Sequence, residues 1–269
     1  MTIIDAHYHL VPNEGEINLH LGYDYTGDDI RAISSDADAT IKSMDKNGID
    51  LTVLCGSAQP TNAHEEYVRM NNNFVAKAVH KYPKRFVGFC VTSPFLKDRG
   101  AKEITRSVNE LGFKGIKLHG DYCGWASLDE MRVIFETASD LELPIVLHSA
   151  DPPFFPDRIG VYARHFPKVK FIALHFGGGT GWKWRTCMEN AADFKNYFIE
   201  LSQMYPHYDA IRKTIKEAGA SQLIYGSDGP YFDFNIPFYR NLLERADATE
   251  SEIEAVLGGN IAKILELDI

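Results

Sequence analysis

Cysteine is scarce in this chain of 269 residues, and its spacing excludes two kinds of site. The four cysteines (Cys55, Cys90, Cys123 and Cys187) lie far apart, and no two of them form a Cys-x-x-Cys pair. A zinc ribbon and a dithiol redox motif both need such a pair, so neither is expected. Isolated thiols of this kind are typical of a reducing compartment. We therefore expect a cytoplasmic protein with reduced, partly buried cysteines.

Long apolar runs and an excess of positive charge are also missing. No apolar stretch approaches the length of about 20 residues that a membrane-spanning helix needs. The formal net charge of -9 is unfavourable for binding nucleic acid or an anionic membrane. We expect neither of these as a partner. A small-molecule substrate fits the composition, and a homo-oligomer such as a dimer is compatible with it.

The chain alternates apolar runs typical of buried parallel strands with segments of helical periodicity. The predicted strands cover residues 3–4, 51–54, 86–89, 115–118, 145–147, 170–174, 197–201 and 222–225. The predicted helices cover residues 39–47, 65–80, 102–111, 128–141 and 208–218. Eight such units without a break in composition predict the α/β class, as a single-domain (β/α)8 TIM barrel over residues 1–269.

A doubly wound open sheet is the alternative fold. Such a sheet normally carries a glycine-rich turn after its first strand, and that turn is absent here. Asp5-Ala6-His7-Tyr8-His9 occupies its place. Residues 11–35 lack periodicity and are rich in Asn, Gly, Asp and Tyr, so we expect them to form an ordered loop over the barrel mouth.

Two histidines separated by one residue, His7 and His9, follow the first predicted strand. Because side chains alternate along a strand, both imidazoles point the same way, and Asp5 shares that face. Two imidazoles on one face can bind one metal ion. For an isolated pair of this kind, two polar residues in an irregular loop are the alternative interpretation.

Four further predicted strands end in a histidine or an aspartate. The fourth, fifth, sixth and eighth strands end at His119, His148, His175 and Asp228. Catalytic groups of a TIM barrel lie at the carboxyl ends of its strands, so these side chains are expected at one mouth. A single strand-end histidine is more often structural, but the five strand ends together indicate a site.

The chain resembles the amidohydrolase superfamily, in the amidohydrolase-related branch that includes aminocarboxymuconate-semialdehyde decarboxylase. The similar segments run along the whole chain: Asp-Ala-His-Tyr-His (5–9), Gly-Phe-Lys-Gly-Ile-Lys-Leu-His (112–119), Pro-Ile-Val-Leu-His (144–148), Leu-His-Phe-Gly-Gly-Gly (174–179), Tyr-Gly-Ser-Asp-Gly-Pro (225–230) and Leu-Gly-Gly-Asn-Ile-Ala (257–262).

This resemblance implies a ligand set and two catalytic residues. His7, His9, His148 and Asp228 match the family's metal ligands, and His175 matches a histidine beside the metal-bound water. Three imidazoles and one carboxylate suit Zn²⁺, or another divalent metal such as Mn²⁺, with one ion and room for a water. Asp228 is then expected to accept a proton from the acidified water, and His175 to orient that water or polarise the substrate.

Lys117 and His119, on the fourth strand, leave an alternative open. Two-metal members of the superfamily carry a bridging carboxylated lysine on this strand, and Lys117 is placed for that role. A buried lysine paired with an acidic neighbour is the other interpretation. For His119 we favour a group that faces the substrate over a metal ligand.

Aromatic and basic residues after the sixth strand are candidates for the substrate pocket. Trp182 would contribute to an aromatic wall, and Arg185 could bind a substrate carboxylate through two hydrogen bonds. Packing on the barrel rim and a surface salt bridge are the corresponding alternatives. Lys117 and His119 complete the set of predicted substrate-binding residues.

Two reactions fit this site. One is hydrolysis of a lactone, amide or related bond in a small, carboxylate-bearing substrate by a metal-activated water. The other is non-oxidative decarboxylation of an aromatic or dienoic acid. A barrel that only binds is a third possibility, disfavoured because no ligand position is replaced. Several decarboxylases of the branch carry Glu-x-His where this chain has His-x-His, and the chain is short for them. We therefore expect a metal-dependent hydrolase, with a carboxy-lyase as the alternative.

Overall fold

The computed structural model describes residues 1–10, 36–56, 63–179, 181–203, 208–232 and 234–268. The loop expected at residues 11–35 lies outside this part of the chain. Among the described helices, none combines the length and the apolar character required to cross a bilayer.

Eight parallel strands form one sheet whose spatial order follows the chain. The strands are β1 (Ile4–His9), β2 (Leu51–Cys55), β3 (Phe86–Val91), β4 (Gly115–Leu118), β5 (Ile145–Leu147), β6 (Phe171–Ala173), β7 (Tyr197–Glu200) and β8 (Leu223–Ile224). The chain after β8 returns to β1, where the N–H of Ala6 donates to the carbonyl of Tyr225 at 3.2 Å. The sheet therefore closes with its first strand beside its last, and the predicted TIM barrel is confirmed.

Helices surround the barrel. They are α1 (Ala37–Asn47), α2 (Glu65–Lys81), α3 (Asp98–Asn109), α4 (Gly120–Cys123), α5 (Leu128–Asp140), α6 (Pro156–His165), α7 (Trp182–Asp193), α8 (Tyr208–Glu217), α9 (Ile236–Arg245), α10 (Glu250–Glu254) and α11 (Asn260–Leu265). Short 3-10 turns at Pro94–Leu96, Leu174–Gly178 and Ala220–Gln222 and a π turn at Ala255–Gly259 complete the connections.

The apolar side chains form two layers around the sheet. One layer packs between strands and outer helices, and the other fills the barrel interior. Side chains of α11 join the interior layer. Lys114 and Lys170, which directly precede β4 and β6, donate to carbonyls of Leu265 and Ile264 near the end of α11. The last helix therefore covers the amino end of the barrel and leaves the carboxyl end for chemistry.

Among the helices of ten or more residues, α6, α7 and α9 have no counterpart among the predicted helices. Both α6 and α9 begin with a proline in the first turn. In α7 the buried side chains are only Cys187, Met188 and Ala191, so no strong apolar stripe marks it. Trp182, which was predicted to contribute to an aromatic wall of the pocket, is the first residue of α7.

Candidate metal centre at the barrel mouth

His7, His9 and Asp228 meet at the carboxyl end of the barrel. Their ligand atoms all lie within 4.8 Å of one another. The Nε2 atoms of the two histidines are 3.1 Å apart. Oδ1 of Asp228 lies 3.2 Å from Nε2 of His7 and 3.4 Å from Nε2 of His9. Three buried donors that face one point, two imidazoles and a carboxylate, fit a divalent cation.

The seam between β1 and β8 sets this geometry. Asp228 adopts a φ of 60°, a left-handed conformation that is uncommon outside glycine and is often found at active sites. Its N–H donates to the carbonyl of His7 at 2.8 Å. The next residue, Gly229, accepts from the N–H of His9 at 2.6 Å, and a Cβ at Gly229 would overlap the ring of Tyr8. These contacts hold Asp228 beside both histidines.

The protonation states of the group suit metal binding. Burial lowers the pKa of His7 well below 6.5, and the charge of Lys117 acts in the same direction. Burial alone would raise the pKa of Asp228, but His7 and His9 hold it well below its usual value. The imidazole of His7 is therefore neutral and the carboxylate ionised, which are the forms that bind metal ions.

Backbone contacts decide which nitrogen of His9 is available. Nδ1 of His9 lies 2.9 Å from the carbonyl of Gly56, so it carries the proton and leaves the Nε2 lone pair free. His7 differs, because its Nδ1 is buried without a hydrogen-bond partner. Oε2 of Glu200 lies 4.0 Å from this nitrogen.

His148 lies at the same mouth but outside this group. Its Nδ1 is 3.0 Å from Nε2 of His175, and its Nε2 is 3.2 Å from Oδ2 of Asp151. Its ring is tilted by 36° against that of His119, at a centroid distance of 4.0 Å. Within the described residues, neither close cluster of possible ligands includes His148. Its role as a ligand stays a prediction, as does the substrate role of His119.

His175 sits beside the metal group, in a left-handed turn after β6. Its ring centroid is 5.4 Å from that of His7. With His7 and Glu200 it forms the second cluster of potential ligands in the described chain. The structure thus places His175 next to the expected ion, and its catalytic role stays a prediction.

Lys117 is fully buried inside the barrel, with Nζ 3.0 Å from Nε2 of His7. Burial lowers the pKa of this ammonium group. The lysine therefore faces the metal group directly, which is compatible both with the two-metal alternative and with a substrate-facing role.

The pocket candidates on α7 lie on the rim. Trp182 is 52% exposed and meets the ring of Phe155 at a centroid distance of 6.1 Å. The exposed guanidinium of Arg185 lies over the ring of Trp184, at 5.3 Å. The described contacts of both residues are thus with neighbouring aromatic rings, and their role in binding substrate stays a prediction.

Glu200, Ser202 and Gln203 are site residues without a predicted role. Glu200 ends β7 fully buried, and it accepts hydrogen bonds from Ser202 and from the N–H of His175. Burial raises the pKa of Glu200 to about 8. Gln203 donates to Oδ2 of Asp228. A carboxylate within the otherwise apolar run 197–201 is the signal that could have identified Glu200.

Asp5 belongs to the seam and not to the metal group. Its Oδ1 accepts from the N–H groups of His7 at 3.1 Å and Ser227 at 2.7 Å, and its Oδ2 accepts from the hydroxyl of Ser227 at 2.7 Å. Burial raises the pKa of Asp5 to about 7. Its carboxyl group thus ties β1 to the segment that carries Asp228.

Comparison with known proteins gives a family and several relatives. The model of the amidohydrolase family matches residues 4–267. A gamma-resorcylate decarboxylase from Polaromonas sp. strain JS666 is 23% identical, over 86% of this chain and 87% of that protein. The crystal structure of 2,6-dihydroxybenzoate decarboxylase from Rhizobium is similar over the full length of both chains, with a TM-score of 0.79 and 20% identity.

A second solved structure bears on the cofactor. A dihydroxybenzoic acid decarboxylase from Polaromonas sp. JS666, with bound manganese and the inhibitor 2-nitroresorcinol, is similar over 100% of this chain and 98% of that chain. Its TM-score is 0.76 at 22% identity.

The expectation of a hydrolase is wrong. The three relatives described above, which match along most of the chain, are named decarboxylases. Chain length does not separate the two reactions, because this chain spans 87% of the Polaromonas decarboxylase. A His-x-His pair can bind a metal ion in either reaction, so it does not indicate which bond the site breaks.

Proposed function

The chain belongs to the amidohydrolase family and is an enzyme of that superfamily, and on this basis we propose that it is a metal-dependent carboxy-lyase. The proposed reaction is the non-oxidative removal of carbon dioxide from a small aromatic acid, with an ortho-hydroxybenzoate as the substrate class. The observation that carries this proposal is the convergence of His7, His9 and Asp228 at the mouth of a barrel that has several relatives named decarboxylases.

His7, His9 and Asp228 would hold one divalent ion, with His148 as the proposed fourth ligand. Mn²⁺ is the proposed metal, because a similar decarboxylase structure contains manganese, and Zn²⁺ is the alternative for the same donors. When bound, the ion supplies positive charge that orients the substrate's oxygen atoms and stabilises negative charge.

Proton transfer is the task left to the chain's own side chains. Loss of carbon dioxide from an aryl carboxylate requires that the ring carbon gains one proton as the bond to the carboxylate breaks. Asp228 is ionised in the free site, so it first accepts a proton from solvent water and then delivers it to that carbon. His175, neutral because burial lowers its pKa, would orient the substrate beside Asp228.

The direct test compares the metal-loaded and chelated protein on 2,6-dihydroxybenzoate, its positional isomers and 2-hydroxybenzoate. Release of carbon dioxide and the matching phenol is expected only with metal. His9→Gln should abolish metal binding and activity. His165→Gln is the matched control, because His165 is exposed on α6 and contacts only the carbonyl of Val161 among the described bonds. Metal binding without decarboxylation of any of these acids would contradict the proposal.

A further inference from the structure

A buried chain of hydrogen bonds leads from the barrel mouth to the end of β7. Nδ1 of His148 lies 3.0 Å from Nε2 of His175. Nδ1 of His175 lies 2.8 Å from Oγ of Ser202, and this hydroxyl lies 2.8 Å from Oε2 of Glu200. Ser202 and Glu200 are both fully buried, so water does not compete for these contacts.

The groups that donate to Glu200 indicate which atom donates and which accepts in each of these hydrogen bonds. Its Oε2 accepts the N–H of His175 at 3.0 Å, and its Oε1 accepts the N–H of Ser202 at 2.7 Å. Backbone N–H groups only donate, so both oxygens act as acceptors, which favours the carboxylate form. Burial opposes this effect and raises the pKa of Glu200 to about 8, so the carboxylate predominates above that pH. The hydroxyl of Ser202 then gives its one proton to Glu200, and its oxygen remains an acceptor for Nδ1 of His175.

We propose that Glu200 and Ser202 are positioning residues that set the tautomer of His175. With Nδ1 of His175 protonated, its Nε2 is an acceptor for the facing Nδ1 of His148. Nε2 of His148 lies 3.2 Å from Oδ2 of Asp151, so that carboxylate, and not Ser202, governs the proton at this nitrogen. The catalytic consequence rests on the proposed function, whereas the tautomer of His175 does not.

Neighbouring groups support this orientation. The contacts at its two ring nitrogens decide where the proton of His175 lies, because Ser202 faces Nδ1 and His148 faces Nε2. Glu200 is held in place on its other side, because a Cβ at Gly226 would overlap its Oε1. A reversed chain, in which a protonated Glu200 donates to Ser202, would place the proton of His175 on Nε2 instead.

Nitrogen-15 NMR of the histidine rings tests the proposal in the full-length protein. The spectra distinguish a protonated ring nitrogen from one with a lone pair, and His175→Asn identifies the signals of His175. Above pH 8, where Glu200 is ionised, we expect wild-type His175 to be protonated on Nδ1, both without metal and with Zn²⁺, which is diamagnetic. Protonation on Nε2 in the wild type at this pH would overturn the proposal without any variant.

Substitutions at Ser202 add a second readout. Ser202→Ala should shift the His175 proton toward Nε2 and lower kcat by about tenfold or more, the scale of a misdirected acid–base group. Ser202→Thr keeps the hydroxyl and should restore the wild-type tautomer. Ser93→Ala is the matched control, because Ser93 is an equally buried serine after β3 whose hydroxyl donates to the carbonyl of Tyr122. An unchanged tautomer of His175 in Ser202→Ala would refute the proposed positioning role of Ser202 and Glu200.

The two proposals can fail separately. If His175 is protonated on Nδ1 but no aromatic acid is decarboxylated, the positioning role of Ser202 and Glu200 stands and the proposed function fails. If carbon dioxide is released but His175 is protonated on Nε2, the proposed function stands and the positioning role fails.

Discussion

The histidines at the barrel mouth differ in the groups that hold their rings, and these differences suggest different roles. His9 is fixed by a backbone carbonyl, so its free nitrogen faces Asp228. His175 is fixed by a serine and a buried carboxylate, and its free nitrogen faces another imidazole. A ring held by a carbonyl keeps one nitrogen available as a metal ligand, whereas a ring whose protonated nitrogen is fixed by a serine can orient a substrate.

Asp228→Asn tests the proposed proton carrier. The amide keeps the shape of the side chain but removes the charge that balances a cation and the oxygen that accepts a proton. We expect weaker metal binding and a kcat lowered by about a hundredfold or more. Metal analysis and initial rates measure the two effects. Asp157→Asn, at an exposed aspartate in the first turn of α6, is the control and should keep both.

His148→Asn and His175→Asn separate ligand from catalytic residue. If His148 is the fourth ligand, its loss should strip the metal. His175→Asn should keep the metal and lose activity. The comparison is informative because the structure clusters His175, and not His148, with His7 and Glu200. Equal loss of metal in both variants would make His175 a ligand, and a two-metal site with Lys117 as the bridge would replace the single-metal proposal.

Secondary-structure elements near the site depend on close packing at single glycines. Gly226 connects β8 to Asp228, and an added Cβ would overlap Oε1 of Glu200. Gly226→Ala should therefore displace Glu200 and destabilise the fold by about 1–3 kcal/mol, as overpacking usually does. Urea unfolding measures this change. Gly259→Ala is the control, because its Cβ would meet its nearest neighbour at an ordinary 3.6 Å, and equal destabilisation of both variants would contradict the account.

Helices α2 and α3 are joined by a buried carboxylate, which gives stability a defined pH dependence. Glu103 accepts hydrogen bonds from Asn72, Arg69 and Arg106. Burial alone would raise the pKa of Glu103, but Arg106 and Asn72 lower it below the model-peptide value of 4.5. The stabilisation is therefore present above pH 4.5 and is lost as the pH falls through the lower folded-state pKa.

Glu103→Gln should consequently lower the free energy of unfolding at pH 7 by about 2 kcal/mol, the scale of hydrogen bonds to a charged group. The deficit should shrink as the pH falls below 4.5, because the wild type then loses the same interaction. Urea unfolding across this range checks it. Glu136→Gln, at an exposed glutamate 3.9 Å from Arg132, should change little, and a deficit that grows on acidification would contradict the assignment.

Some secondary-structure elements could be predicted from the sequence and others could not. The eight strands could be located because a strand buried on both faces is a continuous apolar run. Helix α7 could not, because its few buried side chains form a weak apolar stripe. The prolines in the first turns of α6 and α9 are helix-start signals that could have indicated these two helices. The strand-end histidines and Asp228 could be predicted as site residues because the catalytic groups of a TIM barrel lie at the carboxyl ends of its strands. The hydrogen bonds that join His175 to Ser202 and Glu200 depend on contacts between the ends of β6 and β7, which no local sequence pattern encodes.

At the scale of the whole molecule, the barrel has two unlike ends. α11 covers the amino end, where lysines before β4 and β6 bind its last carbonyls. The carboxyl end carries the imidazoles and carboxylates of β1, β5, β6 and β8. The metal-binding side chains alone do not indicate the type of reaction, because the same donors can support hydrolysis or decarboxylation. The similarity along the whole chain corrected the expectation of a hydrolase.

Decarboxylation is the central claim, and one measurement tests it most directly. The manganese-loaded protein is incubated in D₂O with ortho-hydroxybenzoates that carry carbon-13 in the carboxyl group, and NMR follows both label and product. We predict that the label appears as carbon dioxide and bicarbonate, and that the phenol gains one deuterium at the vacated ring carbon. A label that stays bonded to carbon in every substrate, with the metal still bound to the protein, would contradict the account.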